Sequence, residues 1–427
     1  MVDVVLEDGL VARVGAHAGD ALAGADPDRV RVIDRPGAWL LPGLVDLHVH
    51  LREPGQEHKE DIASGLRAAA AGGFTDVCAM PNTSPVNDEP SITRRMLERA
   101  RAAGGPRLHV ISAITRGQRG DELADLEGQR EAGVVGASDD GRCVTRSDVM
   151  RAALERARDL DLPLVQHAED HALTAGASMH EGATSARLGL RGWPRVAEDV
   201  IVARDLILAE YTRARYHLAH MSTAGAARLV RDAKDRGIAV TCEVTPHHLL
   251  LTDAALLGYD PICKVNPPLR EEDDVAALRA ALADGTIDCI ATDHAPHAPA
   301  DKGRAAWGEA RSFAREDVER AAPGMIGLEW CLPLLLDLAR RSDIPVARVI
   351  EALTAGPARV IGLPRRGIAE GAPADLVLVD PDVEVELAPG ALRSKSQNSP
   401  FVGRRVRGRV TMTMVAGRAV FEQGATT

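Results

Sequence analysis

The 427-residue chain has no unbroken apolar run long enough to span a bilayer. Its opening, MVDVVLEDGLVARVG, lacks the basic segment and apolar core of a secretory leader. A cytoplasmic protein without membrane contact is expected. Cysteine is sparse: Cys78, Cys143, Cys242, Cys263, Cys289 and Cys331 are far apart and form no CxxC pair. That spacing argues against a disulfide framework or a cysteine zinc site, and reads as reduced core residues. Positive charge is short as well, with 51 Lys and Arg against 62 Asp and Glu and a net charge of -11. The arginines are scattered, so no basic stripe faces a phosphate backbone and nucleic acid is not an expected partner. No lysine occurs between Lys59 and Lys234. Repeats of about 20–50 residues are missing, as is low-complexity sequence other than alanine-rich helix.

What is present is alternation. From residue 44, β-branched apolar runs alternate with stretches of helical period, the pattern of parallel βα units. The expected strands are 44–50, 74–80, 107–114, 134–138, 163–169, 216–222, 239–245 and 288–294. Between them lie helix candidates such as EDIASGLRAAAAGG and DVMRAALERARDL. Eight such units predict an α/β fold, a (β/α)8 barrel over residues 44–363. That span exceeds the ~250 residues typical of the fold and implies loop insertions. Residues 1–43 and 364–427 instead hold short strand-like runs broken by Gly, Pro and Asp, and predict one small β-sandwich domain built from both chain ends.

Within the barrel, DLHVHLREPG (46–55) places His48 and His50 on one face of the first strand. Of the fourteen histidines, eight fall at or just past a proposed strand end: His48, His50, His167, His220, His247, His248, His294 and His297. That is the rim where barrel active sites sit. His217 and His220 are an odd number of residues apart, so alternation lets only one face the centre, and His220 is nearer the rim. Asp293 closes the eighth strand in ATDHAPH, and Asp139 and Asp140 close the fourth, where a DDG triplet alone reads only as a turn. Four or five nitrogen and oxygen ligands without thiolate suit Zn2+ and imply hydrolysis by metal-activated water. His171, His180 and His247 stay open between support and packing, and Cys143 reads as packing.

PGLVDLHVHLREPG and ATDHAPHAPADK resemble the two signature segments of the dihydroorotase family, longer bacterial type, within the amidohydrolase superfamily. MPNTSPVND, ASDDG, QHAED, MHEG, HMSTAGA, EVTPHHLLLT, KVNPPLRE and SKSQNSPFVG follow the same family in order, so the likeness covers nearly the whole chain. It implies reversible cyclisation of N-carbamoyl-L-aspartate to L-dihydroorotate in pyrimidine synthesis, on one or two zinc ions. By that resemblance His48, His50 and Asp293 hold one metal, His167 and His220 hold or flank a second, and Asp140 supplies a carboxylate between them. Asp293 is also the implied general acid and base. Arg52, Asn82 and His297 grip the substrate carboxylate, and Asn266 binds its ring amide. Where the family commonly shows a Phe-Gly pair binding substrate before MIGLE, this chain has Pro323 and Gly324 at the implied substrate-binding positions; proline offers no N–H, so a backbone contact there would come from Gly324 or Met325.

The resemblance leaves two rivals. Hydantoinase or allantoinase-like enzymes share the barrel, but bridge two metals with a carboxylated lysine near the fourth strand, where this chain has no lysine. An inactive homologue partnering aspartate transcarbamoylase is the other, and the retained ligand residues speak against it. Small-molecule substrate and homo-oligomer are expected, with association to aspartate transcarbamoylase left open. The insertion at 303–317 reads as either a lid or a surface elaboration.

Overall fold

The computed structural model describes residues 2–424 except Ala23, Ala25, Arg365 and Arg366; Met1 and residues 425–427, the outermost positions of the expected β domain, lie outside the described residues. Eight short parallel strands pair in sequence order: β1 (Leu44–Val49), β2 (Phe74–Ala79), β3 (Arg107–Ser112), β4 (Gly136–Ser138), β5 (Leu164–Gln166), β6 (Tyr216–Leu218), β7 (Val240–Val244) and β8 (Cys289–Ile290). A parallel bridge between Val49 and His294, with His50 N–H donating to His294 O at 2.9 Å, brings the last strand back to the first. The sheet is therefore a barrel, and every strand lies within one expected from the sequence.

No residue of β1 or β2 is exposed. Strands covered on both faces carry apolar runs instead of simple alternation, which is why they are legible as short blocks. One cluster, including Val45, Leu47, Cys78, Met80, Ile111, Val165 and Cys289, packs the barrel interior below the rim. A much larger one joins the outward strand faces to the helices, through Leu66, Ala153, Leu206, Val230 and Leu278 among others. Helix starts follow local chemistry. Asp61 accepts from Ser64 N–H at 2.7 Å while Ser64 Oγ accepts from Asp61 N–H at 3.1 Å, a reciprocal cap on Ile62–Ala71. All six cysteines are buried and unpaired, and among the described residues no helix is long and apolar enough to cross a membrane.

The chain ends meet in an antiparallel sheet ordered Arg418–Glu422, Arg405–Val415, Leu376–Glu386, Trp39–Pro42, beside a hairpin of Asp3–Glu7 and Leu10–Gly15. Val11, Ala374 and Leu376 form a small core between the two. Gly43 links Trp39–Pro42 to β1 at a point where a Cβ would sit 2.3 Å from the Thr75 side chain, so only glycine passes. Arg107 at the start of β3 is fixed to this sheet by a fork on Asp375, at 2.8 and 2.9 Å. The extra length of the barrel lies in the segments after β5, β7 and β8. The first carries two short parallel strands, Met179–His180 and Gly192–Trp193, before helix Val196–Thr212.

Candidate active site

Residues from five strand ends converge in the barrel mouth. Ligand atoms of His48, His50 and Asp140 lie within 4.8 Å of one another, as do those of Asp140, His167 and His220, so Asp140 belongs to both groups. His48 Nε2 is 3.3 Å from Asp140 Oδ1 and 3.6 Å from Asp293 Oδ1, and His50 Nε2 is 3.1 Å from that same Asp293 oxygen. On the other side His167 Nδ1 and His220 Nε2 face each other at 2.9 Å, 3.8 and 3.5 Å from Asp140 Oδ1. Asp139 turns away: its carboxylate accepts from Ile114 N–H at 2.8 Å and Thr115 N–H at 3.0 Å and serves as a loop anchor.

Backbone conformation aims three of these side chains. Arg52, His220 and Asp293 have φ of 60°, 30° and 46°, in the left-handed region that non-glycine residues avoid. Such strain gathers at functional sites and costs about 1–3 kcal/mol per residue. It also explains a departure from strict alternation. β6 ends at Leu218, and the turn at His220 brings that ring to the rim, while His217 also points inward, Nε2 3.2 Å from Glu243 Oε2. Both histidines reach the interior, one layer apart.

Three side chains support the imidazoles from behind; Glu243 and Glu169 escaped the sequence reading, while Asn82 was expected on the substrate carboxylate. Glu243, fully buried on β7, accepts from His48 Nδ1 at 2.8 Å and lies against His217. Glu169 Oε2 accepts from His167 Nε2 at 2.9 Å, and Asn82 Oδ1 from His50 Nδ1 at 2.8 Å. Each partner assigns the proton to the outer nitrogen and leaves the other nitrogen's lone pair for the cluster, the usual arrangement behind metal-bound imidazoles. An acid two residues from Thr241 in an otherwise buried strand was the available signal for Glu243; for Glu169 it was the acid two residues after the histidine in QHAED.

A second group lies beside the first. Arg52 is buried, donates through Nε to Pro296 O at 3.1 Å, and holds Nη2 3.5 Å from His297 Nε2. Among the described residues no carboxylate lies within ion-pairing distance of it. His297 Nε2 donates to Pro323 O at 2.8 Å. Gly324 N–H donates to Lys264 O at 2.9 Å, and its carbonyl accepts from Asn398 Nδ2 at 3.1 Å. The hydrogen-bonding groups of Pro323 and Gly324 are thus turned into the protein. Gly324, at φ 126°, permits close approach: a Cβ there would lie 2.7 Å from Ala295 Cβ and 3.1 Å from His297 Nε2. Asn82 bridges the two halves, its Nδ2 donating to Asp140 Oδ2 at 3.1 Å. Asn266 is partly buried, two residues beyond Lys264. The 303–317 segment is tied down: Arg304 Nη2 donates to both carboxylate oxygens of Asp260 at 2.7 and 2.8 Å, and Arg304 and Arg311 stack on Phe313 at 4.5 and 4.7 Å.

The cluster's electrostatics call for a cation. Burial opposes charge on His48, yet Asp140, Glu243 and Asp293 hold its pKa well above that of an ordinary histidine. Burial likewise opposes charge on Asp140 and Asp293, and the surrounding imidazoles hold both carboxyls below the ordinary range. His48 Nε2 is buried without a hydrogen-bond partner even though it faces two carboxylates. An orphaned nitrogen, a shared carboxylate and a donor set of nitrogen and oxygen without sulfur fit a divalent metal ion.

Barrel and mouth together define a (β/α)8 protein of the metal-dependent hydrolase class. Residues 37–226 match the family described as dihydro-orotase-like. Two curated proteins named dihydroorotase are similar over nearly the full length. One, from Anaeromyxobacter dehalogenans (strain 2CP-C), is 51% identical over 425 residues, covering 99% of this chain and 94% of the relative. The other, from Pelobacter propionicus, is 46% identical over 424 residues, covering 99% and 95%. Among solved structures, L-hydantoinase (dihydropyrimidinase) from Arthrobacter aurescens superposes with a TM-score of 0.85 at 24% identity, covering all of this chain and 93% of its own. Dihydropyrimidinase from Brevibacillus agri gives 0.82 at 23% identity, covering 99% and 91%. These structures share the fold; the sequence relatives decide the family. The chain belongs to the dihydroorotase family.

Proposed function

We propose that this chain interconverts L-dihydroorotate and N-carbamoyl-L-aspartate in the cytoplasm, and the observation that carries the reading is Arg52. A buried guanidinium without a carboxylate partner, beside the ligand cluster, is completed by a substrate that brings its own carboxylate. Dihydroorotate carries one on its ring, whereas hydantoins and dihydropyrimidines are neutral rings that would leave the guanidinium without a carboxylate at ion-pair distance. The absence of lysine between Lys59 and Lys234 points the same way, with Asp140 standing between the two ligand groups. An inactive scaffold would have no need of a complete donor set.

His48, His50 and Asp140, with Asp293 alongside, would hold one Zn2+, and Asp140, His167 and His220 a second. Zinc held there supplies Lewis-acid polarisation of the amide carbonyl and lowers the pKa of water. Arg52 and His297 fix the substrate carboxylate, Asn266 faces the ring amide, and Pro323 and Gly324 wall the ring. Asn82 holds His50 and Asp140 in register. In hydrolysis Asp293 takes the proton of the attacking water and passes it to the ring nitrogen as the C–N bond breaks. In cyclisation it takes the proton from the carbamoyl nitrogen and delivers it to the departing oxygen.

The test is an assay of zinc-loaded protein with L-dihydroorotate, N-carbamoyl-L-aspartate, a 5-substituted hydantoin and dihydrouracil. Turnover of the first two alone is expected; turnover of the neutral rings with none of dihydroorotate overturns the reading. Arg52→Met should lower kcat/KM for dihydroorotate by about 30- to 1000-fold, the loss of a charge-assisted fork.

Glu243→Gln tests the support of His48. Replacing the carboxylate that orients this ring should weaken metal binding by about 10- to 100-fold, read by competition with a chromophoric chelator. Unchanged affinity would strip Glu243 of that role.

A further inference from the structure

Lys302 lies in the signature segment ATDHAPHAPADK, yet has no part in the chemistry above. Its side chain is completely buried, and among the described residues it forms no ion pair. Its ammonium instead donates to three backbone carbonyls: Ala322 O at 2.7 Å, and Pro261 O and Lys264 O at 3.3 Å each. Three N–H donors meet three acceptors, so the group is satisfied without a counter-charge. The planar fork of arginine could not reproduce that pattern.

The carbonyls belong to two segments that flank the substrate side of the mouth. Pro261 and Lys264 lead into Asn266, and Ala322 leads into Pro323 and Gly324. Lys264 O accepts from Lys302 and also from Gly324 N–H at 2.9 Å, so it is held from both sides. Lys264 returns the contact through its own ammonium, donating to Val318 O at 2.9 Å and Glu319 O at 3.1 Å. Asp301 O accepts from Ala322 N–H at 2.9 Å, which closes the base of the 303–320 excursion. Lys302 hydrogen-bonds to both segments at once.

We propose that Lys302 is a positioning residue that sets the separation between Asn266 and the Pro323–Gly324 wall, and so governs how tightly the ring is held without acting on the metal cluster. This rests on the dihydroorotase reading for its substrate, but the geometric part does not. The ammonium ties together backbone that carries substrate contacts, and none of its partners is a ligand of the His48, His50, Asp140, His167 and His220 cluster. Losing the donors leaves the carbonyl of Ala322 buried with no partner and that of Pro261 with only Lys264 N–H at 3.1 Å, and the two segments shift apart to bring Ala322 O to water.

The experiment compares wild type with Lys302→Met and Lys302→Gln as full-length, zinc-loaded protein. Both variants are expected to raise KM for dihydroorotate by at least about tenfold, with kcat within about threefold and metal content unchanged. Gln, which keeps two donors, should fall between Met and wild type. Hydrogen exchange supplies a readout that needs no substrate: peptides covering 261–266 and 320–326 should exchange faster in Lys302→Met, while those of β1 and β5 keep wild-type protection. An unchanged KM in a folded variant, a fall in kcat tracking lost metal, or faster exchange across the whole barrel would each overturn the proposal. So would failure of both variants to fold, since Lys302 would then be a folding residue. If wild type itself does not turn over dihydroorotate, the functional reading fails while the exchange comparison still decides the role of Lys302.

Discussion

Asp293→Asn is expected to lower kcat by about 10^2- to 10^4-fold, the range associated with loss of a positioned general acid and base. The substitution is nearly isosteric at a fully enclosed position, so the fold should survive; circular dichroism and the thermal midpoint check this. Metal content should stay near wild type, because His48, His50, Asp140, His167 and His220 remain to hold it. What disappears is the oxygen 3.1 Å from His50 Nε2 that can change protonation state during the reaction. In the native site imidazoles hold this carboxyl below its ordinary range despite burial, so it starts each cycle as the base. Steady-state turnover in both directions, with ion content measured on the same sample, decides the matter. A rate near wild type at full metal loading would remove Asp293 from the proton path.

Asp140→Ala should do damage of a different kind. Asp140 is the one residue common to both ligand groups, so its loss takes an oxygen from each, leaving Asp293 beside His48 and His50 and no shared carboxylate between the two groups. It also strips Asn82 Nδ2 of its acceptor and His48 Nε2 of the carboxylate 3.3 Å away. Bound metal should fall below half of wild type and activity by more than about 10^3-fold, with added zinc restoring little. Elemental analysis after dialysis, beside the cyclisation assay, reads both quantities. Full metal content with activity retained would show that Asp140 is not shared in the working site. The contrast matters: one aspartate is expected to abolish turnover with the ion in place, the other by letting it go.

How far the sequence exposes this arrangement depends on the kind of constraint. The eight barrel strands are legible because burial on both faces demands compact β-branched blocks, and helix punctuation separates them. His48 and His50 are legible because period-two alternation survives along β1. Alternation fails at His217 and His220, where β6 stops at Leu218 and a positive φ swings the later ring inward. Nothing in a linear string announces such a turn at a non-glycine residue. The choice of Asp140 over Asp139 came from likeness to a family, and the structure supplies the physical difference: one acid is spent on Ile114 and Thr115, the other faces the rings. Glu243 and Lys302 stayed silent because buried charge is recognised by its partners, and those partners are 23 to 195 residues away for Glu243 and 20 to 41 for Lys302.

The meeting of the two chain ends bears on how the molecule is made. Trp39–Pro42, which leads straight into β1, pairs with Leu376–Glu386, and Asn398 and Ser396 contact the backbone of Ala295, His297 and Gly324. A ribosome releases the amino end first, so Trp39–Pro42 must wait, without this partner, until the whole barrel and the strand at 376–386 have been made. Every candidate ligand is in place well before then, yet the wall beside them gains its last supports only when the tail arrives. A chain interrupted before Ser396 would carry the full set of imidazoles and still lack the side chains that brace the wall beside them.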